Sequence, residues 1–92
     1  MQNSIYRFID DMIGDMRSTY DFSVSSMHDE TSEFRREWCV REIEECYERM
    51  FGAVLFCKCY DHTITEIEYD ALLDRIWDVR CEELHRVMER YQ

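Results

Sequence analysis

The chain has 92 residues, 46% of them hydrophobic and 14% aromatic, with two glycines, no proline and a formal net charge of −10. That length accommodates one domain and excludes a Rossmann or barrel enzyme, while the apolar content is too high for a disordered acidic tail. The charge argues against direct contact with nucleic acid or an anionic membrane, which need a basic footprint, and the scarcity of Gly and Pro argues against a turn-rich β fold. The expectation is one helical domain over residues 1–92: all-α, a short N-terminal helix packed on a long antiparallel hairpin, forming a three-helix bundle.

The first periodic segment covers residues 4–20. Ile5, Phe8, Ile9, Met12, Ile13, Met16 and Tyr20 recur at helical spacing and share one face, opposite Arg7, Asp10, Asp11, Asp15 and Arg17. Asn3 or Ser4 can cap its start. Residues 21–31 are rich in Ser, Asp and Thr, which compete for backbone hydrogen bonds, so a loop is expected there, with Phe22, Val24 and Met27 tucked onto the core.

The second helix is expected over 32–59, capped by Thr31 or Ser32, with Glu33 in its first turn favoured by the helix dipole. Cys39, Ile43, Cys46, Tyr47, Met50, Val54 and Cys57 form its apolar stripe, and Gly52 falls on the solvent side. The run 54–60 also reads as a strand. After a turn at 60–64, a third helix is expected over 65–91. Thr65 and Glu68 have the spacing of a capping box, and Ile64 can serve as a staple. Leu73, Ile76, Trp77, Leu84, Val87, Met88 and Tyr91 are its predicted buried stripe. The two long helices would measure about 40 Å and the first about 25 Å. A first helix that short would leave the hairpin's open end uncovered. Phe34, Trp38, Trp77, Met88 and Tyr91 are therefore the expected surface of a homodimer.

The first sixteen residues do not read as an export signal, and the longest uncharged stretch, 50–57, is far short of the roughly 20 residues needed to cross a bilayer. Five cysteines are an odd number, so reduced thiols and a cytoplasmic location are expected.

Charge is unevenly spread. Residues 1–34 and 61–92 each carry a net of −5, whereas 35–60 balance. On the third helix Glu66, Asp70, Asp74, Asp78 and Glu82 recur every four residues. That spacing makes a ridge of like charges in steps of about 6 Å, which repel one another along the helix. One reading is a solvated face partly neutralised by Arg75, Arg80 and Arg86. The other is an imitation of a row of phosphates, presented to the basic groove of a nucleic-acid-binding protein, with Asp10, Asp11 and Asp15 as further contacts.

Cys39, Cys46, Cys81 and His85 would lie at similar heights if the hairpin folds about 62–63, and a Cys3His set suits tetrahedral zinc. No C-x-x-C occurs, and free cysteine commonly fills core space, so no metal is expected, with a zinc-binding hairpin as the minor alternative. His28-Asp29 and Asp61-His62 have no recognisable nucleophile beside them, and Gly14 and Gly52 stand alone without a phosphate cradle. Neither an enzyme nor a cofactor is expected.

The stretch Ile64-Thr65-Glu66-Ile67-Glu68-Tyr69-Asp70-Ala71-Leu72-Leu73 resembles a short helix in the N-terminal domain of NAD-dependent DNA ligases, which reads I-S-D-x-E-Y-D-x-L. That resemblance implies nucleotide contacts at Glu66, Tyr69 and Asp70. The stretch also resembles helical tails of bacterial proteins that read I-T-x-E-E-Y/F-x-x-L. About ten of the 92 residues are covered, and the Tyr-His pair of the preceding ligase helix has no counterpart. In size and charge alone the chain resembles phage-encoded counter-defence factors, including anti-CRISPR proteins. The function expected from the sequence is therefore a small acidic inhibitor of a basic nucleic-acid-binding protein, such as a CRISPR effector. The alternative is a homodimeric structural or adaptor module.

Overall fold

The computed structural model describes residues 4–91, except the side chains at 23 and 24. Three helices run up, down and up: α1 (Ser4–Ser25), α2 (Ser32–Phe56) and α3 (Glu66–Arg90). The bundle measures 47 × 19 × 18 Å. The all-α, three-helix expectation holds.

Local chemistry sets most boundaries. Thr31 caps α2 by accepting from the Phe34 N–H at 3.0 Å. At the start of α3, Glu68 N–H donates to the Thr65 hydroxyl at 3.1 Å, and Thr65 N–H donates to the Glu68 carboxylate at 3.0 Å. The capping box is thus complete, and Ile64 beside it is buried. Asn3, one of two expected caps for α1, lies outside the described residues.

Two boundaries differ from expectation. First, α1 continues to Ser25 instead of stopping near Tyr20, and the loop shrinks accordingly. Ser25 Oγ donates to the Asp21 carbonyl at 2.8 Å and Ser26 Oγ to the Phe22 carbonyl at 3.2 Å. Bonded back along the helix, these hydroxyls no longer compete with it. Phe22 is exposed and Met27 half-buried; the Val24 side chain is outside the description. Second, α2 ends at Phe56 in a single π-helical turn, Cys57–Asp61. The alternative strand reading of 54–60 is not realised. His62 closes this turn with a left-handed backbone, φ 54°, and the N–H groups of His62 and Thr63 both donate to the Cys57 carbonyl.

With 22 residues, α1 spans about 33 Å against about 38 Å for its 25-residue neighbours. The expected short first helix is thereby corrected, and of the residues expected to stay uncovered at the open end Phe34 and Met88 are exposed whereas Trp38 is half-buried. Tyr91, expected at an exposed interface, is only 7% exposed.

The core is built from Ile5, Ile9, Ile13, Met16 and Tyr20 of α1 and Cys39, Ile43, Cys46, Met50 and Val54 of α2. α3 contributes Leu72, Ile76 and Val87, closed by Tyr91. Phe8, expected in the α1 stripe, is largely exposed, and Met12 is half-buried. The α3 stripe is rotated from its predicted position. Leu73 and Leu84 are half-buried, whereas Trp77 and Met88 are exposed. An inward position of α3 is filled by Glu83, so the apolar residues alone point to the wrong arc.

α2 packs against both neighbours, and its antiparallel register with α3 is fixed along its length. Lys58 meets Glu66 at 2.8 Å, Tyr47 meets Trp77 at 5.8 Å between ring centres, and Arg80 meets Glu44 at 2.7 Å. Folding the hairpin about 62–63 anticipates this register to within a residue.

Gly52 lies on the solvent side of α2, and a Cβ added there meets nothing within 4 Å. Gly52→Ala is expected to stabilise the fold by about 0.5–1 kcal/mol. Chemical denaturation measures it, and a loss of stability would contradict the open surface at this position.

Candidate functional site

The α3 ridge is where the spacing places it, with Glu66, Asp70, Asp74, Asp78 and Glu82 all exposed. Its members are not alike. Glu66 is held by Lys58, whereas Asp70, Asp74, Asp78 and Glu82 form no ion pair among the described residues. The bases of α3 point elsewhere. Arg75 pairs with Asp10 of α1, Arg80 with Glu44 of α2, Arg86 with Glu83 and Arg90 with Asp21. The partial neutralisation of the ridge that one reading drew from Arg75, Arg80 and Arg86 has no ion pair behind it among the described residues, since each arginine is engaged off the ridge.

The acids of α1 do not form one patch with it. Asp10 is engaged by Arg75, and Asp11 sits 3.9 Å from Arg7 on an exposed face. Asp15 opens onto a cleft between α1 and α2 of about 160 Å³, floored by Met12, Met16 and Cys46 and rimmed by Glu42 and Glu45. That volume is below the roughly 300 Å³ at which ligand pockets usually begin.

Of the residues named for the ligase-like pattern, Glu66 and Tyr69 have contacts within the fold, whereas Asp70 is exposed and unpaired among the described residues. Lys58, bonded to Glu66, lies 5.9 Å from the Tyr69 ring centre, and Tyr69 is half-buried.

The thiol and imidazole candidates divide between core and surface. Cys39 and Cys46 are buried, Cys81 is exposed, and the exposed His85 lies 3.0 Å from Glu89. Burial pushes the Cys39 thiol up to about 11 and raises that of Cys46, whose S–H points at the Met12 carbonyl. Among the described residues no three of His, Cys, Asp and Glu gather so as to hold a metal ion.

Of the apolar interface candidates, Phe34, Trp77 and Met88 are between 45% and 49% exposed, Trp38 is half-buried against the core, and Tyr91 is within it. Trp77 stands in a cluster. Tyr47 meets it edge-on, and the Arg80 guanidinium lies over its ring, 4.6 Å from the centre.

The residue that sequence reasoning misses is Glu83, whose side chain is fully buried. It accepts from Arg17 Nε at 2.7 Å, from the Tyr20 hydroxyl at 2.6 Å and from Arg86 at 3.3 Å. A signal exists: position 83 is seven residues past Ile76 and four before Val87, on the core arc. Two buried polar atoms nearer the open end lack a partner among the described residues, the Tyr91 hydroxyl and Arg35 Nε. Comparison with protein-family models, curated proteins and solved structures returned no match.

These two buried groups predict opposite outcomes. Glu83→Ala leaves the Tyr20 hydroxyl and two guanidinium groups without their acceptor and should destabilise by about 2–4 kcal/mol. Tyr91→Phe removes a hydroxyl that has no partner and should be neutral or gain up to about 1 kcal/mol. Denaturant midpoints decide both, and equal losses in the two variants would contradict the assignment. Burial, followed by the hydrogen bond to Glu83, pushes Tyr20 up to about 12. A folded value above the ordinary 10 favours the protonated phenol in the native state. Stability is thus fully present below pH 10 and lost as pH rises through 12. The Cys39 thiol adds the same sign from its ordinary 9 upward to about 11. A denaturation midpoint that holds steady from pH 8 to 12 would contradict both.

Proposed function

We propose that this protein is a non-enzymatic binding protein that occupies the basic groove of a nucleic-acid-binding protein. Asp70, Asp74, Asp78 and Glu82 stand in for backbone phosphates. The observation that supports this most is the direction of the arginines. Every base of α3 is paired with a carboxylate off the ridge, so four exposed carboxylates on one helix have no ion-pair partner among the described residues. Like charges at this spacing cost helix stability, and a basic partner would relieve that repulsion. Complementary fields also speed encounter and select the partner. Blocking factors of phage origin that act on CRISPR effectors in the cytoplasm are the class this reading fits.

The test is capture of bound proteins from bacterial lysate at low and high salt, followed by competition with a DNA or RNA oligonucleotide. The expected result is a nucleic-acid-binding protein that is released by salt and displaced by the oligonucleotide. Reversing Asp70, Asp74 and Asp78 to Lys should weaken that complex at least tenfold, about 1.4 kcal/mol, with helicity unchanged. Unchanged affinity in the triple variant, or a partner indifferent to salt, refutes the phosphate-mimic reading.

A further inference from the structure

The hairpin of α2 and α3 carries α1 on one side only. Its other side exposes further apolar groups, Phe51 and Leu55 of the second half of α2 and Trp77 and Met88 of α3. Tyr47 and Phe51 lie 6.2 Å apart by ring centre, and Trp77 closes on Tyr47 at 5.8 Å. Trp77 remains 49% exposed, Met88 46%, Leu55 37% and Phe51 36%. Such a line of half-exposed large groups along two packed helices is the shape into which a third helix lays its apolar face.

The margins of this seam are acidic. On α3, Asp74 is three residues before Trp77 and Asp70 seven before it, so both share its face. On α2, Glu37 and Glu48 lie on the arc of Glu44, Phe51 and Leu55. The cation inside the seam, Arg80, is stacked on Trp77 and Tyr47 and bound to Glu44 at 2.7 Å, so its charge is matched within the fold. Arg41 brings one positive charge to the α2 margin, against Glu37 and Glu48 beside it. An apolar floor with acidic walls is complementary to a helix with an apolar stripe flanked by Arg and Lys. A second copy of this chain is the wrong occupant. It would set Asp70, Asp74 and Glu48 against the same groups on another molecule of net charge −10.

We infer that the α2–α3 face is a docking surface for a basic amphipathic helix of the partner, with Trp77 as its central apolar contact. This deepens, and rests on, the reading of the α3 ridge as the contact for a basic partner. The cations of the docked helix would meet Asp70 and Asp74, and its apolar stripe would cover Phe51, Leu55, Trp77 and Met88.

A direct test uses the Trp38→Phe variant, in which Trp77 is the sole tryptophan. Two peptides of about 18 residues, five helical turns, are titrated against it. Both contain only Leu and Lys in equal numbers; one places Leu along one helical face and the other scrambles the order. The amphipathic peptide should bind at least tenfold more tightly and shift Trp77 emission to the blue. Phe51→Ser with Met88→Ser, both at exposed positions, should cost tenfold for the amphipathic peptide and nothing for the scrambled one. Equal binding of the two peptides without a blue shift overturns the docked helix while leaving the acidic ridge as a contact. Failure of both peptides to bind at low salt overturns the docked helix and the ridge reading together. A dimer by sedimentation, with Trp77 already shielded and unresponsive to peptide, overturns the inference in favour of a second copy.

Discussion

A buried carboxylate holds this bundle in one arrangement. α2 has an apolar stripe that packs against both neighbours, but α1 and α3 meet through long polar side chains. Apolar contact alone leaves two parallel helices free to slide by a turn. Glu83 removes that freedom, because its oxygens accept from Arg17 and Tyr20, nearly one turn apart on α1. A one-turn slip would leave a carboxylate buried without partners, at a cost of several kcal/mol. The half-buried Tyr6–Glu68 bond repeats the same parallel register, as do Arg75 on Asp10 and Arg90 on Asp21 at exposed sites, where an ion pair contributes less. The fold is thus specified by polarity between α1 and α3 and stabilised by burial around α2.

The two loops follow from that division. The α1–α2 connection is short because serine hydroxyls bond back onto α1, carrying the helix as far as the hairpin's open end. There its Asp21 meets Arg90 of α3, next to the buried Tyr91. The other connection is tighter still, a π turn that collects two N–H groups on the Cys57 carbonyl and reverses at His62. Its compactness brings Lys58 over the start of α3, where it holds Glu66. The first carboxylate of the ridge is thereby paired while staying exposed, and the unpaired part of the ridge starts at Asp70.

What could be read in the sequence was local. The caps at Thr31 and at Thr65 with Glu68 depend on neighbours three residues away, and the structure has both. The α2–α3 register follows from folding a hairpin about its turn, and the Arg80–Glu44 pair bears it out. The exposure of the ridge follows from helical spacing. What could not be read was long-range. Glu83 finds Tyr20 and Arg17 across 63 and 66 residues, and without those partners a glutamate in a helix reads as surface. That error rotated the α3 stripe and assigned Trp77 and Met88 to the core as well as to an interface. The end of α1 was misread for a related reason, since Ser25 and Ser26 bond back onto α1 and Asp21 pairs with Arg90 of α3, neither of which local spacing shows.

The same long-range pairing bears on the acidic surface. A chain with 21 acids and 11 bases can distribute its bases in two ways. Spread along each helix at i, i+4 from the acids, they would quiet the ridge locally. Here the four arginines of α3 are spent on α1, on α2 and on the buried Glu83, where they hold the helices in register. Stability of the bundle and charge of the ridge are therefore linked through the same side chains. Moving any of those arginines onto the ridge would remove a cross-link between elements, or a partner from Glu83, and would neutralise the surface at the same time. The proposed contact with a basic partner draws on this arrangement, because the carboxylates it uses are not satisfied within the described fold.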